Sequence, residues 1–352
     1  MEEGGIPHLD IRMKTRGLTK RPLDESLHRG ARVRAPARVM AVVKADGYGH
    51  GAVAVAKRLA RAGAAAFGVS TLEEGVTLRE AGIRPPILVL GNVFPFSNLP
   101  VLARHRLTPT VCSLAAVREM ESWCRRTRVQ LPLHIKVDTG MARIGISPRA
   151  APDLAAAAAG SRSLRLEGVY THFAGADSDG PFTERQWAVF QRTLRALAAR
   201  GLQPPLRHAA NSAALLKFPE SHLDMVRPGL ALYGLEPYPG LDRSLGLRPA
   251  MRFMTRIVFL KRVPKGTRVS YNGTFTARRP TWLATLPVGY ADGYPRALSN
   301  RGEVLVNGRR APVVGAVCMD MCLVDVSGIR GVRVGTEATL FGPALPAEEV
   351  AR

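Results

Sequence analysis

Eight short apolar runs, rich in β-branched residues, recur along the first two-thirds of the chain, with helical patterns between most of them. They predict strands at 37–44, 65–70, 86–91, 107–112, 131–137, 165–173, 206–210 and 224–227. Helical periodicity falls at 52–62, 72–81, 97–104, 114–125, 149–159, 182–200 and 212–217. Continuous apolar strands alternating with helices mean a parallel sheet covered by helices. Eight such units predict an α/β protein with a (β/α)8 TIM-type barrel over 37–246. After Gly246 the pattern changes to closely spaced strands at 251–262, 282–288, 303–306, 312–318 and 321–326. Asn307-Gly308 between two apolar runs reads as a hairpin turn. A mostly-β C-terminal domain is therefore expected over 247–352. Residues 1–36 have weak periodicity and stand apart as an N-terminal segment.

The ends of the barrel runs are polar. Lys44 ends the first, in the apolar stretch Val39–Val43, and is followed by glycines at 47, 49 and 51. Lys136 and Asp138 end the fifth, with Arg143 just beyond. His172 ends the sixth, Asn211 and Ser212 the seventh, and Arg227 the eighth. A barrel of this class carries its active site at the C-terminal ends of its strands, so these residues should converge. Burying Lys44 at a strand tip is unfavourable unless it has a partner or a chemical role. Glycines and Tyr48 beside it let backbone and a phenol approach a ligand closely.

Composition narrows the classes of function. With 352 residues, 46% of them hydrophobic, the chain can bury a sizeable core. No apolar run approaches the roughly 20 residues needed to cross a bilayer, so no membrane partner is expected. The first residues lack the basic region and apolar core of a signal peptide, which points to the cytoplasm. The cysteines are 112, 124, 318 and 322; their spacing and the lack of a nearby histidine cluster predict reduced thiols and no metal site. The net charge of +22 invites a nucleic-acid partner. The cations are scattered over all segments without interleaved aromatics, so no nucleic-acid partner is expected.

Seven further motifs accompany the Lys44 stretch, Ala41-Val-Val-Lys-Ala-Asp-Gly-Tyr-Gly-His-Gly51. They are Lys136-Val-Asp-Thr-Gly-Met-Ala-Arg-Ile-Gly145, Thr171-His-Phe-Ala174, His208-Ala-Ala-Asn-Ser-Ala-Ala-Leu215 and Asp224-Met-Val-Arg-Pro-Gly-Leu-Ala-Leu-Tyr-Gly234. Val269-Ser-Tyr-Asn-Gly-Thr-Phe275, Val288-Gly-Tyr-Ala-Asp-Gly293 and Gly315-Ala-Val-Cys-Met-Asp-Met321 follow. In this order and at these intervals the chain resembles the alanine racemases, fold-type III enzymes that use pyridoxal 5′-phosphate (PLP).

The resemblance implies that Lys44 carries PLP and serves one face of the substrate, while Tyr271 serves the other. Lys44 would take the proton from the D-isomer and Tyr271 from the L-isomer. It further implies that Arg227 faces the pyridine nitrogen and that His172 and Arg227 influence the phenol. Arg143 would lie near the PLP phenolic oxygen and the substrate carboxylate. Lys136 resembles a lysine that is carboxylated in many members. Tyr48, Ser212 and the backbone at Gly229 and Leu230 would hold the phosphate, with Asn211 beside them. Tyr290 and Met319 resemble residues at the substrate entrance, Met319 near the carboxylate. In the family Tyr271, Tyr290 and Met319 come from a second subunit, so a homodimer with composite sites and a small amino-acid substrate is implied. The expected role is supply of D-alanine for peptidoglycan. Two alternatives stay open at this point: a broader amino-acid racemase of the same fold, and a truncated PLP-binding protein with little activity. The second arises because the family usually continues past the length reached here, which makes 247–352 read as truncated.

Overall fold

A computed structural model describes residues 12–15, 33, 36–241 and 246–351. The chain forms two compact units, Leu18–Arg248 and a second made of Met1–Gly17 with Pro249–Arg352. Most of the segment 1–36 lies outside the described residues. Within it, β1 (Arg12–Thr15) is a strand of the second unit.

The first unit is a ring of eight parallel strands. They are β2 (Arg38–Val42), β3 (Ala66–Val69), β4 (Ile87–Asn92), β5 (Thr108–Val111), β6 (Leu131–Lys136), β7 (Leu164–Tyr170), β8 (Leu206–His208) and β9 (Met225–Val226). Neighbours pair in sequence order from β2 to β8, and β9 pairs with β2. The ring closes between β8 and β9, where Asp224 N–H donates to Arg207 O and Arg227 N–H to Ala210 O. Each strand begins and ends within a few residues of the position the apolar runs predict. Helices cover the outside. In Ala52–Arg61 the buried positions Ala52, Val55, Ala56 and Leu59 form one stripe, as an amphipathic helix on a sheet requires. Alternate strand residues point inward, where Met40, Ala66, Leu88, Tyr170 and Met225 fill a separate layer of the barrel interior.

One cation ties the barrel wall together. The Arg79 guanidinium, on the helix Leu72–Glu80, donates to the carbonyls of Ile83, Arg84, Pro85, His105 and Arg106 at 2.6–3.0 Å. It joins the turns that lead into β4 and β5. Arg79→Met keeps the aliphatic stem but strands these acceptors, and should lower unfolding stability by about 2–3 kcal/mol. An unchanged urea midpoint would show that water satisfies the carbonyls as well.

The second unit is antiparallel. Its five-stranded sheet runs β1, β10 (Met251–Arg256), β18 (Glu337–Phe341), β15 (Glu303–Val306) and β16 (Arg309–Pro312). A three-stranded sheet has β11 (Phe259–Val263), β14 (Thr281–Leu286) and β17 (Cys322–Asp325), and β12 (Arg268–Val269) pairs with β13 (Phe275–Thr276). The predicted hairpin forms on Asn307-Gly308, both with positive φ, with Val306 opposite Arg309. The single strand expected at 251–262 is two. The chain leaves one sheet for the other at Ile257–Val258, where Ile257 N–H bonds Thr336 O and Val258 N–H bonds Thr285 O. The strand expected at 312–318 does not form: β16 ends at Pro312, Val313 and Val314 make only a short contact with Val324 and Leu323, and the N–H groups of Gly315 and Val317 then bond the side chains of Asn300 and Ser299. Ile257, Leu286, Val304, Val306, Val324 and Leu340 are central to this unit's core.

Candidate active site

The polar strand ends of the barrel converge. Lys44, Tyr48, Lys136, Arg143, His172, Asn211, Ser212, Arg227, Gly229 and Leu230 all line one cavity of about 460 Å³. Each ends or follows the C-terminal end of its strand, as the fold class requires.

Lys44 sits at the mouth of an uncommon turn. Ala45, Asp46 and Gly47 have φ/ψ of 51/54°, 50/47° and 64/41°, and Tyr48 has φ 54°. Successive left-handed residues cost about 1–2 kcal/mol each when they bear a Cβ. Three side chains from outside and inside the turn hold it. The Glu74 carboxylate accepts Ala45 N–H at 2.6 Å and Ser70 N–H at 2.6 Å, while it caps its own helix with Thr71. Asp46 accepts Ala52 N–H at 2.7 Å. His50 Nδ1 lies 3.0 Å from the carbonyls of Gly47 and Tyr48. The Lys44 side chain is thus carried on a backbone fixed at both ends.

Arg227 is 3% exposed, yet its guanidinium has several partners. Nη2 donates to Thr171 O at 2.6 Å and Ala209 O at 3.0 Å and Nη1 to His208 Nδ1 at 2.8 Å, while His172 Nδ1 lies 3.4 Å from Nη2. Burial and the neighbouring cations hold His172 well below the ordinary histidine range, so it is neutral. With Nδ1 facing a donor, its proton is on Nε2. Lys136 is 4% exposed, and burial, then Arg143 and Arg227, push its amine down to about 8. Both it and Arg227 lie over the Tyr170 ring, at 5.7 and 5.1 Å from the centroid.

Arg143 lies in a loop shaped by Asp138, which accepts Gly140 N–H and Ala142 N–H. Ala142 adopts φ 54° there. The Ser212 hydroxyl accepts Gly229 N–H at 2.8 Å and Ala231 N–H at 3.3 Å. Asn211 caps the helix Ser212–Lys217 through Ala214 N–H and donates to Phe173 O, so both ends of its amide are engaged within the protein. A Cβ at Gly229 would collide with the Tyr48 hydroxyl, so glycine is required for that phenol to enter the cavity. Burial pushes the Tyr48 pKa up and keeps it a neutral donor. Ser70, Tyr170 and Asp177 also line the cavity and were not singled out in the sequence. Ser70 and Tyr170 sit in apolar runs that read simply as strand. Asp177, in the loop after β7, is the one carboxylate in that lining, against four cations.

Tyr271, Tyr290 and Met319 lie in the second unit and share one rim of it. They are 68%, 44% and 55% exposed. Tyr290 N–H bonds Cys318 O, Ala291 N–H bonds Met319 O, and Ser270 Oγ donates to Ala316 O at 2.7 Å. Ser270 and Asn272, on either side of Tyr271, have φ 64° and 59°. A Cβ at Gly289 would strike the Cys318 and Met319 carbonyls. Three motifs remote in sequence thereby present two phenols and a thioether outward.

Comparison with known proteins agrees with these features. The family model for the N-terminal domain of alanine racemase matches residues 26–237, and that for the C-terminal domain matches 250–352. The chain is 47% identical to the alanine racemase of Halothermothrix orenii over 306 residues, 87% of this chain and 80% of that one. It is 49% identical to that of Symbiobacterium thermophilum over 309 residues, 87% and 81% of the two chains. The solved alanine racemase from Streptomyces coelicolor A3(2) superposes with a TM-score of 0.87 at 37% identity, covering 94% of this chain and 90% of that one. Among the described residues no helix is long and apolar enough to cross a membrane. Strand-end chemistry, fold and kinship agree: the chain belongs to the alanine racemase family, isomerases that depend on pyridoxal 5′-phosphate.

Proposed function

We propose that the chain interconverts L- and D-alanine in the cytoplasm as a homodimer, with Lys44 and Tyr271 as the two proton carriers, and supplies D-alanine for peptidoglycan. The observation that carries the reading is the convergence of Lys44, Lys136, Arg143 and Arg227 on one cavity at the barrel mouth. Such a set suits a ligand with a phosphate and a carboxylate. The cytoplasmic setting, the dimer and the peptidoglycan role rest on family membership.

The donor set fits PLP. Lys44 offers a primary amine for attachment, Tyr48 and Ser212 offer hydroxyls, and the backbone at Gly229, which has no Cβ, and at Leu230 borders the same cavity. When bound, the cofactor draws electron density from the amino acid's Cα and makes its proton removable. Arg227 would face the ring nitrogen. A guanidinium has no lone pair to accept a proton and does not surrender one there, so Arg227 would leave that nitrogen unprotonated and the electron withdrawal moderate. Arg143 would bind the substrate carboxylate, with Met319 near it and Tyr290 at the entrance.

Racemisation needs a proton carrier on each face, because a single base returns the proton to the side it left. Lys44 would serve the D-isomer and Tyr271, from the second copy, the L-isomer. A phenol is a poor base near neutral pH unless its anion is stabilised. His172, neutral and with its proton on Nε2, would donate to that oxygen, and the donor-only guanidinium of Arg227, 3.4 Å from Nδ1, disfavours a proton on that side. Chiral chromatography of purified protein with PLP and a panel of amino acids tests the reading. Alanine should be interconverted well ahead of serine and basic amino acids; bound PLP with alanine untouched would defeat it.

Lys136 would carry a carbamate. Its amine is neutral in an unusual share of molecules near pH 8, and only a neutral amine adds carbon dioxide, releasing one proton. The product anion would sit among Arg143 and Arg227 rather than repel them. Unmodified, the folded amine binds fewer protons than the unfolded one between about 8 and 10.5, so stability would rise with pH across that window. Protein equilibrated with ¹³C-bicarbonate should show one carbamate resonance, absent in Lys136→Ala and fading as pH falls. A spectrum without it at alkaline pH would contradict the assignment.

A further inference from the structure

Behind Arg227 lie two buried histidines that do not line the cavity. His134, on β6, and His208, on β8, are 3% and 0% exposed. Their rings meet at 2.9 Å, His134 Nδ1 to His208 Nε2. The other nitrogen of His208, Nδ1, lies 2.8 Å from Arg227 Nη1. The His208 ring stacks on Tyr170 at 4.7 Å between centroids and 7° between planes, and the Tyr170 hydroxyl bonds Thr110 at 2.8 Å. The layer has a made space as well. A Cβ at Gly168 would lie 2.5 Å from His134 Nδ1, so β7 has a glycine where the His134 ring passes.

Donor arithmetic fixes every proton in this chain. Arginine has only donors, so His208 Nδ1 accepts. The His208 proton is then on Nε2 and is donated to His134 Nδ1. His134 in turn carries its proton on Nε2. Burial and Arg227 push His134 down to about 3 and His208 well below the ordinary range, so neither ring charges to break the pattern. Without an acceptor at 134, the His208 Nε2–H is left buried and unpaired. The ring is then free to turn from the guanidinium, which would lose one of its holds.

We propose that His134 is a positioning residue for Arg227: by accepting from His208 Nε2–H it holds that ring with Nδ1 turned to the guanidinium, and Gly168 is a glycine to admit it. The functional consequence rests on Arg227 facing the cofactor's ring nitrogen; the tautomer does not. Ring-labelled histidine in the holoenzyme gives the direct test by ¹³C and ¹⁵N resonances. Both His134 and His208 should be Nε2–H tautomers in the unsubstituted protein. In His134→Leu, the His208 Nε2 resonance should lose the shift of a hydrogen-bonded N–H, kcat should fall about tenfold, the scale of one lost buried hydrogen bond, and the bound cofactor's absorption should shift. His134→Asn, whose Oδ1 can accept where Nδ1 did, should restore the Nε2–H hydrogen bond, the spectrum and most of kcat. Gly168→Ala should behave as His134→Leu does. A proton on His208 Nδ1 in the unsubstituted protein overturns the relay, and needs no variant to fold. So does a His134→Leu protein with His208 and kcat both unchanged. Arg227→Leu separates the two layers. If it leaves kcat and the cofactor spectrum as they were, the reading of Arg227 fails and the catalytic half of the proposal with it, whereas the tautomers are decided independently.

Discussion

Lys44→Ala is expected to lower kcat for alanine interconversion by about 10⁴-fold or more, because one amine is both the attachment point of the cofactor and the proton carrier for one face. The fold should not suffer. Lys44 is half-buried at the cavity mouth, and the left-handed turn that presents it is held by Glu74, Asp46 and His50 rather than by its own side chain. Removing one of four neighbouring cations also relieves repulsion, so the unfolding midpoint should stay level or rise. Arg143, Ser212 and Tyr48 remain, so PLP should still bind, reversibly and without the visible band of the attached form. Activity within about tenfold of the unsubstituted protein, with the midpoint unchanged, would remove Lys44 from the chemistry.

Tyr271→Phe is expected to lower racemisation in both directions by about 10²–10⁴-fold, the usual reach of a general acid–base group. Only an oxygen is lost, from a side chain that is 68% exposed, so the second unit should fold as before. The informative readout is exchange of the Cα proton with deuterated water. D-alanine should still exchange through Lys44 and keep its configuration. L-alanine should lose exchange in parallel with racemisation. Equal loss from both isomers would show that Tyr271 does not serve the L-face alone.

Much of the barrel was legible because burial on both faces leaves strands as unbroken apolar runs, and their polar ends mark the site directly. Lys44, Lys136, Arg143, His172 and Arg227 could be placed at one mouth from order alone. The turn after Lys44 could not. Ala45 and Asp46 are not residues that advertise positive φ, and what holds them there includes Glu74, remote in sequence and itself readable only as the end of a capping box. His134 and Gly168 were equally silent: a histidine within an apolar strand reads as a tolerated polar residue until its ring is seen against His208. In the second unit, the run 251–262 looks continuous because Ile257 and Val258 are as apolar as the strands they join. The change of sheet there is set by partners at Thr285 and Thr336, which hydrophobic pattern does not encode. The clustering of Tyr271, Tyr290 and Met319 likewise depends on loop contacts that only the folded unit supplies.

The central claim is that Lys44 of one copy works with Tyr271 of another. Lys44→Ala and Tyr271→Phe proteins, each nearly inactive, should therefore be mixed in equal amounts, dissociated and reassociated, and assayed for alanine racemisation. Half of the dimers would then be mixed, each with one intact and one doubly altered site, so activity should recover to about a quarter of the unsubstituted level. Activity that stays at the level of the separate variants, with mixed dimers present, would contradict the account.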